Sequence, residues 1–460
     1  MSGSDPGNRN PSPDAATEVE EDFSPVSSRG FAQSQFFAEA GVEDSIFADD
    51  QSDFEVEEMK QERHVSKRSQ IRHYIVKYFI PLQLGVLVAM IWANADHESY
   101  KSFVDCHVFD LFGHNFNIHS IVDDFLMVFF FALATVEVVL SVLPGGALYP
   151  PSKAVCPVLG TIGGIIGPAS VYLAWYFASP TLSNHVLKGW GVTVATDISV
   201  SWLVATFAFG SGHPAVKFLL LLAVADDVAG LIIIACFYTD SVSPAWLGLV
   251  LGGLLIALVI RQIKPLREYW LAYVILAGIP CWFGLLLAHI HPALALAPVI
   301  PFMPADLSDE SNPHSAYHGR RGALTRFDGF WTLPVHIILF LFALVNAGVQ
   351  VTNIGTVTWM VVVSLVLGKT LGIFIFAGFA DSVLGFKLPQ GMSKRHLLLV
   401  GIISGMGLTV ALFIASIAFK DHLALRNEAK FGALLSLLAA PIALTISHAV
   451  KIEKRWLADN

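Results

Sequence analysis

The feature that most constrains the fold is a succession of long apolar segments between about residue 75 and residue 450. A helix that crosses a bilayer needs about 20 mostly apolar residues. Twelve candidate spans lie near residues 78–96, 120–143, 154–179, 190–208, 215–238, 244–262, 270–288, 290–303, 331–351, 356–380, 397–419 and 429–450. The stretch 270–303 is interpreted as two helices, because a single helix would be too long. The sequence therefore predicts an all-α integral membrane protein with about twelve transmembrane helices.

Composition supports this class and excludes several others. Hydrophobic residues make up 54% of the chain and charged residues 14%, whereas a soluble domain carries about 25% charged residues. An ordinary cytosolic enzyme and a mostly disordered chain are therefore excluded. Only four cysteines are present, and three of them fall in apolar stretches, which excludes a disulfide scaffold. A net charge of −9 without a long basic run argues against a nucleic-acid partner.

Charge divides the chain into two regions. Residues 1–60 hold fifteen acidic and three basic residues, and the remainder holds 22 acidic and 25 basic residues. The acidic region is rich in Ser, Pro and Gly and has no sustained apolar run, so it is expected to be disordered. We predict a disordered cytoplasmic tail at 1–74, a transmembrane domain at 75–453 and a short cytoplasmic end at 454–460. A partner-binding arm is the alternative interpretation of the tail.

Basic residues in the loops predict the orientation, because loops rich in Lys and Arg stay in the cytoplasm. With the N-terminus inside, twenty basic residues fall in inside segments and five in outside loops. The five outside residues are Lys101, Lys188, Lys420, Arg426 and Lys430. This ratio predicts an even number of spans and two cytoplasmic termini, a topology that fits a bacterial inner membrane.

Two adjacent carboxylates, Asp226 and Asp227, lie in the middle of an apolar span. Ionisable groups at bilayer depth are expensive, so each is a candidate for function. Two ionised carboxylates this close repel each other strongly, and a shared proton or a bound cation relieves the repulsion. The pair therefore predicts exchange of protons and cations at one site. The alternative is a pair turned to the membrane interface.

Two spans carry weak helix formers at their centres. One reads Gly191-Val-Thr-Val-Ala-Thr-Asp-Ile-Ser199, and the other reads Gly401-Ile-Ile-Ser-Gly-Met-Gly-Leu-Thr409. Interrupted helices place half-helix ends at the middle of the membrane, where Asp197 would offset two positive ends. Because the two spans occupy corresponding places in 154–238 and 356–450, they predict an inverted repeat with two crossed, interrupted helices. Close helix packing is the alternative explanation for the glycines.

A lone lysine, Lys369, lies about thirteen residues into the span 356–380. A buried lysine must pair with an acid or lose its proton. We therefore expect Lys369 to pair with Asp226 or Asp227. The alternative is a side chain that snorkels to the interface, which requires a position near a helix end.

In these residues the chain resembles the NhaA-type sodium/proton antiporters, over about residues 80–450. The resemblance is carried by Asp226-Asp227, Ala195-Thr-Asp-Ile198, Asn346-Ala-Gly-Val349, Gly368-Lys-Thr-Leu-Gly372, Gly405-Met-Gly-Leu-Thr409 and the segment Phe413 to Phe419. It implies a twelve-helix fold with crossed, broken helices, and electrogenic exchange in which one sodium leaves for two protons that enter.

The resemblance also implies roles for individual residues. Asp226 and Asp227 are the expected sodium ligands and proton carriers. Residues expected to support the ion site are Thr196, Asp197, Lys369 and Asp124. Glu137 matches a family position linked to the pH response. The resemblance implies no cofactor; the expected partners are membrane lipids, sodium, lithium and protons, and a homodimer is left open.

The chain departs from the family pattern in two places. After the matching glutamate the family usually continues with basic and acidic residues, but this chain reads Val138-Val-Leu-Ser141, which thins the charge cluster linked to pH response. The acidic tail has no family counterpart. A sodium-coupled solute symporter of similar fold and a non-transporting sensor are the alternatives to an antiporter, and proton movement on sodium addition discriminates between them.

Overall fold

The computed structural model describes residues 80–449, apart from 112–113, 144–145, 147, 149–150, 211, 240–241 and 306–321. The predicted tail at 1–74 and the predicted C-terminal end at 454–460 lie outside these residues. Many of the basic residues that predict the orientation, including Arg320 and Arg321, also lie outside them.

Apolar helices form most of the described chain. Eight are long enough to cross a membrane, and two bent pairs of shorter helices raise the number of spans to ten; one shorter apolar helix is also present. The helices are α1 Ile80–Ala95, α2 His97–Val104, α3 Ile118–Val142, α4 Pro151–Ala178, α5 Ile198–Phe209, α6 Pro214–Phe237, α7 Pro244–Gln262, α8 Lys264–Arg267, α9 Trp270–Leu287, α10 Ala323–Asn346, α11 Thr356–Ser382, α12 Lys394–Ser404, α13 Thr409–Ala418 and α14 Leu423–Ala449. The helical, membrane-spanning class is therefore confirmed.

Two of the spans are interrupted, as the sequence predicts. A 3₁₀ helix at Asn184–Thr193 meets α5 at an angle of 50°, and α12 meets α13 at 48°. The first break holds Thr196 and Asp197, whose side chains compete for backbone hydrogen bonds. The two breaks lie against each other, because the backbone N–H of Asp197 donates to the carbonyl oxygen of Met406 at 2.8 Å.

Helices α4 and α11 pack with their backbones in direct contact. A Cβ atom on Gly163 would collide with the carbonyl oxygen of Gly372, and one on Gly167 would collide with that of Gly368. Each helix thus presents two glycines four residues apart, a spacing that lets membrane helices approach closely. This seam of glycines places Lys369, which follows Gly368 directly, beside α4.

The structure corrects the sequence prediction in two segments. An antiparallel hairpin of β1 His107–Leu111 and β2 His114–Asn117 follows α2, so the all-α prediction is wrong there. Phe109 of β1 pairs with Phe116 of β2, and their rings stack at 5.2 Å. The predicted helix at 290–303 is also wrong, because this stretch contains only the short 3₁₀ turns Pro292–Leu294 and Ile300–Phe302. Its prolines lack the N–H donors that a helix interior needs.

Candidate ion-binding site

The carboxylate pair lies halfway along α6, away from both helix ends. Asp226 has no exposed surface, and Asp227 is 7% exposed. Because adjacent residues on a helix point about 100° apart, the two side chains meet different neighbours. The low dielectric around them strengthens every charge interaction that they make.

Asp226 is held by one lysine and one threonine. The Nζ atom of Lys369, on α11, lies 2.8 Å from Asp226 Oδ2, and neither side chain is exposed. The same ammonium donates to the carbonyl oxygen of Val194 in the break before α5. The hydroxyl of Thr196 lies 2.7 Å from Asp226 Oδ2 and 3.0 Å from the carbonyl oxygen of Ser404. The expected pairing of Lys369 with the acid pair is thus present, with Asp226 as its partner.

Each carboxylate of the pair has one oxygen that is available to bind a proton or a cation. Within the described part of the chain, Asp226 Oδ1 and Asp227 Oδ1 have no hydrogen-bond partner. A buried polar atom without a partner is destabilising, and an ionised carboxylate in this state is more costly still. A proton or a small cation with oxygen ligands would satisfy both atoms.

Asp197 connects the two interrupted helices. Its Oδ1 atom accepts the Val200 N–H at the start of α5, at 3.0 Å. Its Oδ2 atom accepts the Thr409 N–H at the start of α13, at 3.2 Å. One carboxylate therefore lies at the positive ends of two half-helices, where a negative charge is favourable. This is the position that the sequence predicts for Asp197.

The other two predicted residues, Asp124 and Glu137, lie on α3 and are not in direct contact with the carboxylate pair. Asp124 Oδ1 is 3.5 Å from Nε2 of His291. Glu137 follows thirteen residues later, about 20 Å along the helix, and interacts electrostatically with Asp227 and Asp328. The structure thus brings three of the predicted residues, Thr196, Asp197 and Lys369, around the acid pair and places these two at separate points along α3.

A second, largely buried polar cluster, which we call the Asn346 cluster, was not predicted from the sequence. It comprises His119, Asp123, Asn346, Ser416 and Lys430. The Oδ1 atom of Asn346 accepts from Ser416 and Lys430, each at 2.9 Å, and its Nδ2 atom donates to Asp123 at 2.8 Å. Asn346 belongs to the Asn-Ala-Gly-Val motif, which was the one sequence signal that could have pointed to this cluster.

The assignment of Lys430 to an outside loop is wrong. Lys430 lies in the second turn of α14 and is 5% exposed. Arg426, also assigned to a loop, lies in the first turn of that helix. The burial of Lys430 was not predicted because the predicted span began at residue 429, whereas the helix begins at Leu423. Lys430 was therefore placed at the edge of a loop.

Two cavities flank the Asn346 cluster. The larger, about 500 Å³, is lined by residues that include Asp123, Asp124, His291 and Ser416. The smaller, about 200 Å³, is lined by residues that include Asn346, Arg426 and Lys430. His119 lines both cavities, so the cluster borders both of them.

Interrupted helices that cross beside buried ionisable groups define a secondary transporter of ions. The comparison with known families makes this class specific. The family model described as Na+/H+ antiporter 1 matches residues 78–447. The chain therefore belongs to this family of sodium/proton antiporters, which are transporters rather than enzymes.

Curated bacterial relatives match over almost their whole length. The Na+/H+ antiporter NhaA of Geotalea uraniireducens is 45% identical over 382 residues, which cover 82% of this chain and 96% of that protein. The NhaA of Desulfitobacterium hafniense is 44% identical, with 85% and 98% covered. The NhaA of Geobacter sulfurreducens is 44% identical, with 82% and 97% covered.

Proposed function

We propose that this protein exchanges sodium for protons at Asp226 and Asp227. The observation that carries the proposal is a buried pair of carboxylates in which each retains an oxygen without a hydrogen-bond partner among the described residues. Two ionised carboxylates need positive charge nearby, and sodium or protons supply it alternately. One site then serves both ions, because the two cannot occupy it together.

Lys369 is the internal competitor for sodium in this proposal. Its ammonium contacts Asp226 at 2.8 Å, where sodium would need the same carboxylate. When sodium binds, one proton leaves Asp227 and the released lysine gives up another. Two protons then move against one sodium, so each cycle transfers one net charge, as the resemblance to the NhaA-type antiporters implies.

Four further residues take supporting roles. Thr196 orients Asp226 through its hydroxyl, and Asp197 stabilises the crossing of the half-helices. Asp124 is assigned to the support of the ion site, as the resemblance to the NhaA-type antiporters implies. Glu137 contributes to the pH response through its interaction with Asp227.

The remaining features of the proposal rest on the sequence. Sodium leaves the cell and protons enter, lithium is carried as well, and the protein works in a bacterial inner membrane with both termini in the cytoplasm. The full fold contains twelve helices with an inverted repeat of 154–238 and 356–450. The acidic tail at 1–74 precedes a membrane domain at 75–453, the chain ends in a short cytoplasmic segment at 454–460, and lipids and a second copy of the chain are the proposed partners.

Proton release on sodium addition tests the carboxylate pair. In everted membrane vesicles, Asp227→Asn should abolish sodium-dependent proton release, because the amide neither binds sodium as an anion nor carries a proton. The matched control is Asp123→Asn, which also neutralises a buried aspartate but lies in the Asn346 cluster. That control should retain exchange.

Two outcomes contradict the proposal. Near-normal exchange by correctly inserted Asp227→Asn protein would remove the pair from the mechanism. Uptake of sodium together with a second solute, without release of protons on sodium addition, would instead indicate a sodium-coupled symporter.

A further inference from the structure

A pair of histidines joins the start of α6 to the start of α12. The imidazole rings of His213 and His396 stack with their centroids 4.8 Å apart and their planes at 24°. Phe209, at the end of α5, contacts both rings at 5.6 and 5.8 Å. The pair thus connects the helix that carries the acid pair with both interrupted spans.

Each histidine takes part in the cap of a helix. The Nδ1 atom of His213 accepts the Ala215 N–H at 3.1 Å, at the beginning of α6. The Nδ1 atom of His396 accepts the backbone N–H of Ser393 at 3.1 Å, and the Ser393 hydroxyl lies 2.6 Å from the same nitrogen. A nitrogen that accepts carries no proton, so both caps require a neutral imidazole with its proton on Nε2.

Protonation would act against this arrangement in three ways. A proton on Nδ1 removes the acceptor, and a charged ring places positive charge at the positive end of a helix. Two charged rings at 4.8 Å would also repel each other. The three effects have the same sign, so acidification weakens both caps together.

Among the described residues, the helix ends beside the pair carry mostly basic side chains. These are Lys217 on α6, Lys394 and Arg395 on α12, His448 on α14, and Asp381 on α11, which Lys387 follows in the chain. Asp381 is engaged elsewhere, by the N–H of Leu388 at 3.2 Å and by Lys387 at 4.0 Å. Burial, together with the repulsion from His396, lowers the pKa of His213 to about 4.

We propose that His213 and His396 are positioning residues whose neutral rings hold the starts of α6 and α12 together and release them when protonated. The placement of α6 relative to the broken spans fixes the bond between Thr196 and Asp226. The histidine pair therefore makes the geometry of the ion site depend on pH. It lies far in sequence from the segment after Glu137, where the charged residues typical of the family are missing. This inference rests on the proposed function only for its effect on transport.

The direction of the pH effect follows from proton linkage. The unfolded chain binds a proton on His213 near its ordinary pKa of about 6.5, while the folded chain does so near 4. The stability that neutral His213 contributes to the folded state is complete above about pH 6.5. It is lost progressively as the pH falls from about 6.5 towards 4. Relative to a pH at which His213 is neutral in both states, protonation of this one group at pH 5 raises the equilibrium constant for unfolding by about 30-fold.

The first test compares thermal unfolding of the full-length protein in detergent at pH 7.5 and pH 5. The variants are His213→Asn, which retains a good helix cap without titrating, and His396→Gln, which retains the capping-box residue type. Between pH 7.5 and pH 5, the unfolding midpoint of each variant should fall by several degrees less than the unfolding midpoint of the wild type. The double variant should fall less than either single variant, because the ring that remains in each single variant still loses its own cap when it is protonated.

The control is a second histidine pair. His185 and His422 have ring centroids 3.9 Å apart, but His185 is exposed to solvent, which screens the repulsion between the rings, and the cap before it is made by the Ser183 hydroxyl. His185→Asn should therefore lose stability at pH 5 as the wild type does. An equal loss of stability in the wild type, His213→Asn and His396→Gln overturns the proposal.

The second test is the pH profile of exchange in everted vesicles. The acid limb of the profile should move to lower pH by about half a unit or more in His213→Asn and His396→Gln, and it should stay in place in His185→Asn. Unchanged acid limbs in both variants overturn the link to transport. If the wild type shows no exchange, the proposed function fails, while the thermal test still judges the histidine pair by itself.

Discussion

Two regions of this molecule contain similar chemical groups but differ in how those groups are satisfied. Each holds two adjacent aspartates and a buried lysine: Asp226, Asp227 and Lys369 at the crossing, and Asp123, Asp124 and Lys430 near the Asn346 cluster. At the crossing, the lysine contacts a carboxylate directly at 2.8 Å. In the Asn346 cluster, the lysine bonds the neutral amide of Asn346 at 2.9 Å, and that amide bonds Asp123.

The difference lies in the carboxylate oxygens. Asp123 receives the Asn346 amide at 2.8 Å and has His119 at 3.6 Å, and Asp124 has His291 at 3.5 Å. Among the described residues, each acid at the crossing retains one oxygen without a hydrogen bond. Buried acids and a lysine therefore do not by themselves indicate an exchange site. Fully buried carboxylate oxygens without a hydrogen bond are what distinguish a site that can accept an ion from a network that holds helices together.

The largest expected effect comes from reversing the charge at the crossing. Asp197→Lys should abolish exchange and lower the yield of folded protein, because it places a positive charge at two positive helix ends. Asp197→Asn should only reduce exchange, raise the sodium requirement and lower the unfolding midpoint. Sodium titration of the purified proteins provides the measurement. Complete loss of sodium binding in well-folded Asp197→Asn would make Asp197 a direct ligand.

Removing the lysine at the crossing should have the next largest effect. Lys369→Ala leaves Asp226 without its charged partner, and breaking a buried pair in this way costs about 3–5 kcal/mol, part of which a proton on Asp226 would recover. We expect a lower unfolding midpoint and a shift from electrogenic towards electroneutral exchange. The checks are thermal unfolding and the response of exchange to an imposed membrane potential. If neither changes, Lys369 is not the competitor of sodium.

The smallest effect on transport is expected in the Asn346 cluster. Asn346→Ala removes the acceptor for Ser416 and Lys430 and the donor to Asp123, which should destabilise the fold by about 1–3 kcal/mol. Exchange at neutral pH and the apparent sodium affinity should stay near wild-type values. Loss of exchange in a stably folded variant would make this cluster part of the ion path and erase the contrast between the two regions.

Much of the crossing could be predicted because its signals are local in sequence. Acids, a lysine and small polar residues stand out in apolar spans, since burying them is unfavourable without a function. Asp197 could even be placed at two helix ends from its weak helix-forming neighbours. The length of the spans then fixed the membrane class without any tertiary information.

The missed features depend on partners that are distant in sequence. Asn346 contacts Lys430, 84 positions away, and Asp123, 223 positions away, and no local pattern reports such contacts. The caps made by His213 and His396 require knowledge of where each helix starts, and helix boundaries are set by tertiary contacts. The stretch 290–303 was apolar enough for a helix, but its prolines outweighed its composition.

The glycine seam between α4 and α11 also limits how the protein can change shape. With carbonyl groups of Gly368 and Gly372 directly against Gly167 and Gly163, the two helices have no layer of side chains on which to slide or roll. They should travel as a single rigid body that carries Lys369 with it. Because Asp226 lies on α6, any displacement that breaks its contact with Lys369 should occur between α6 and this α4–α11 unit.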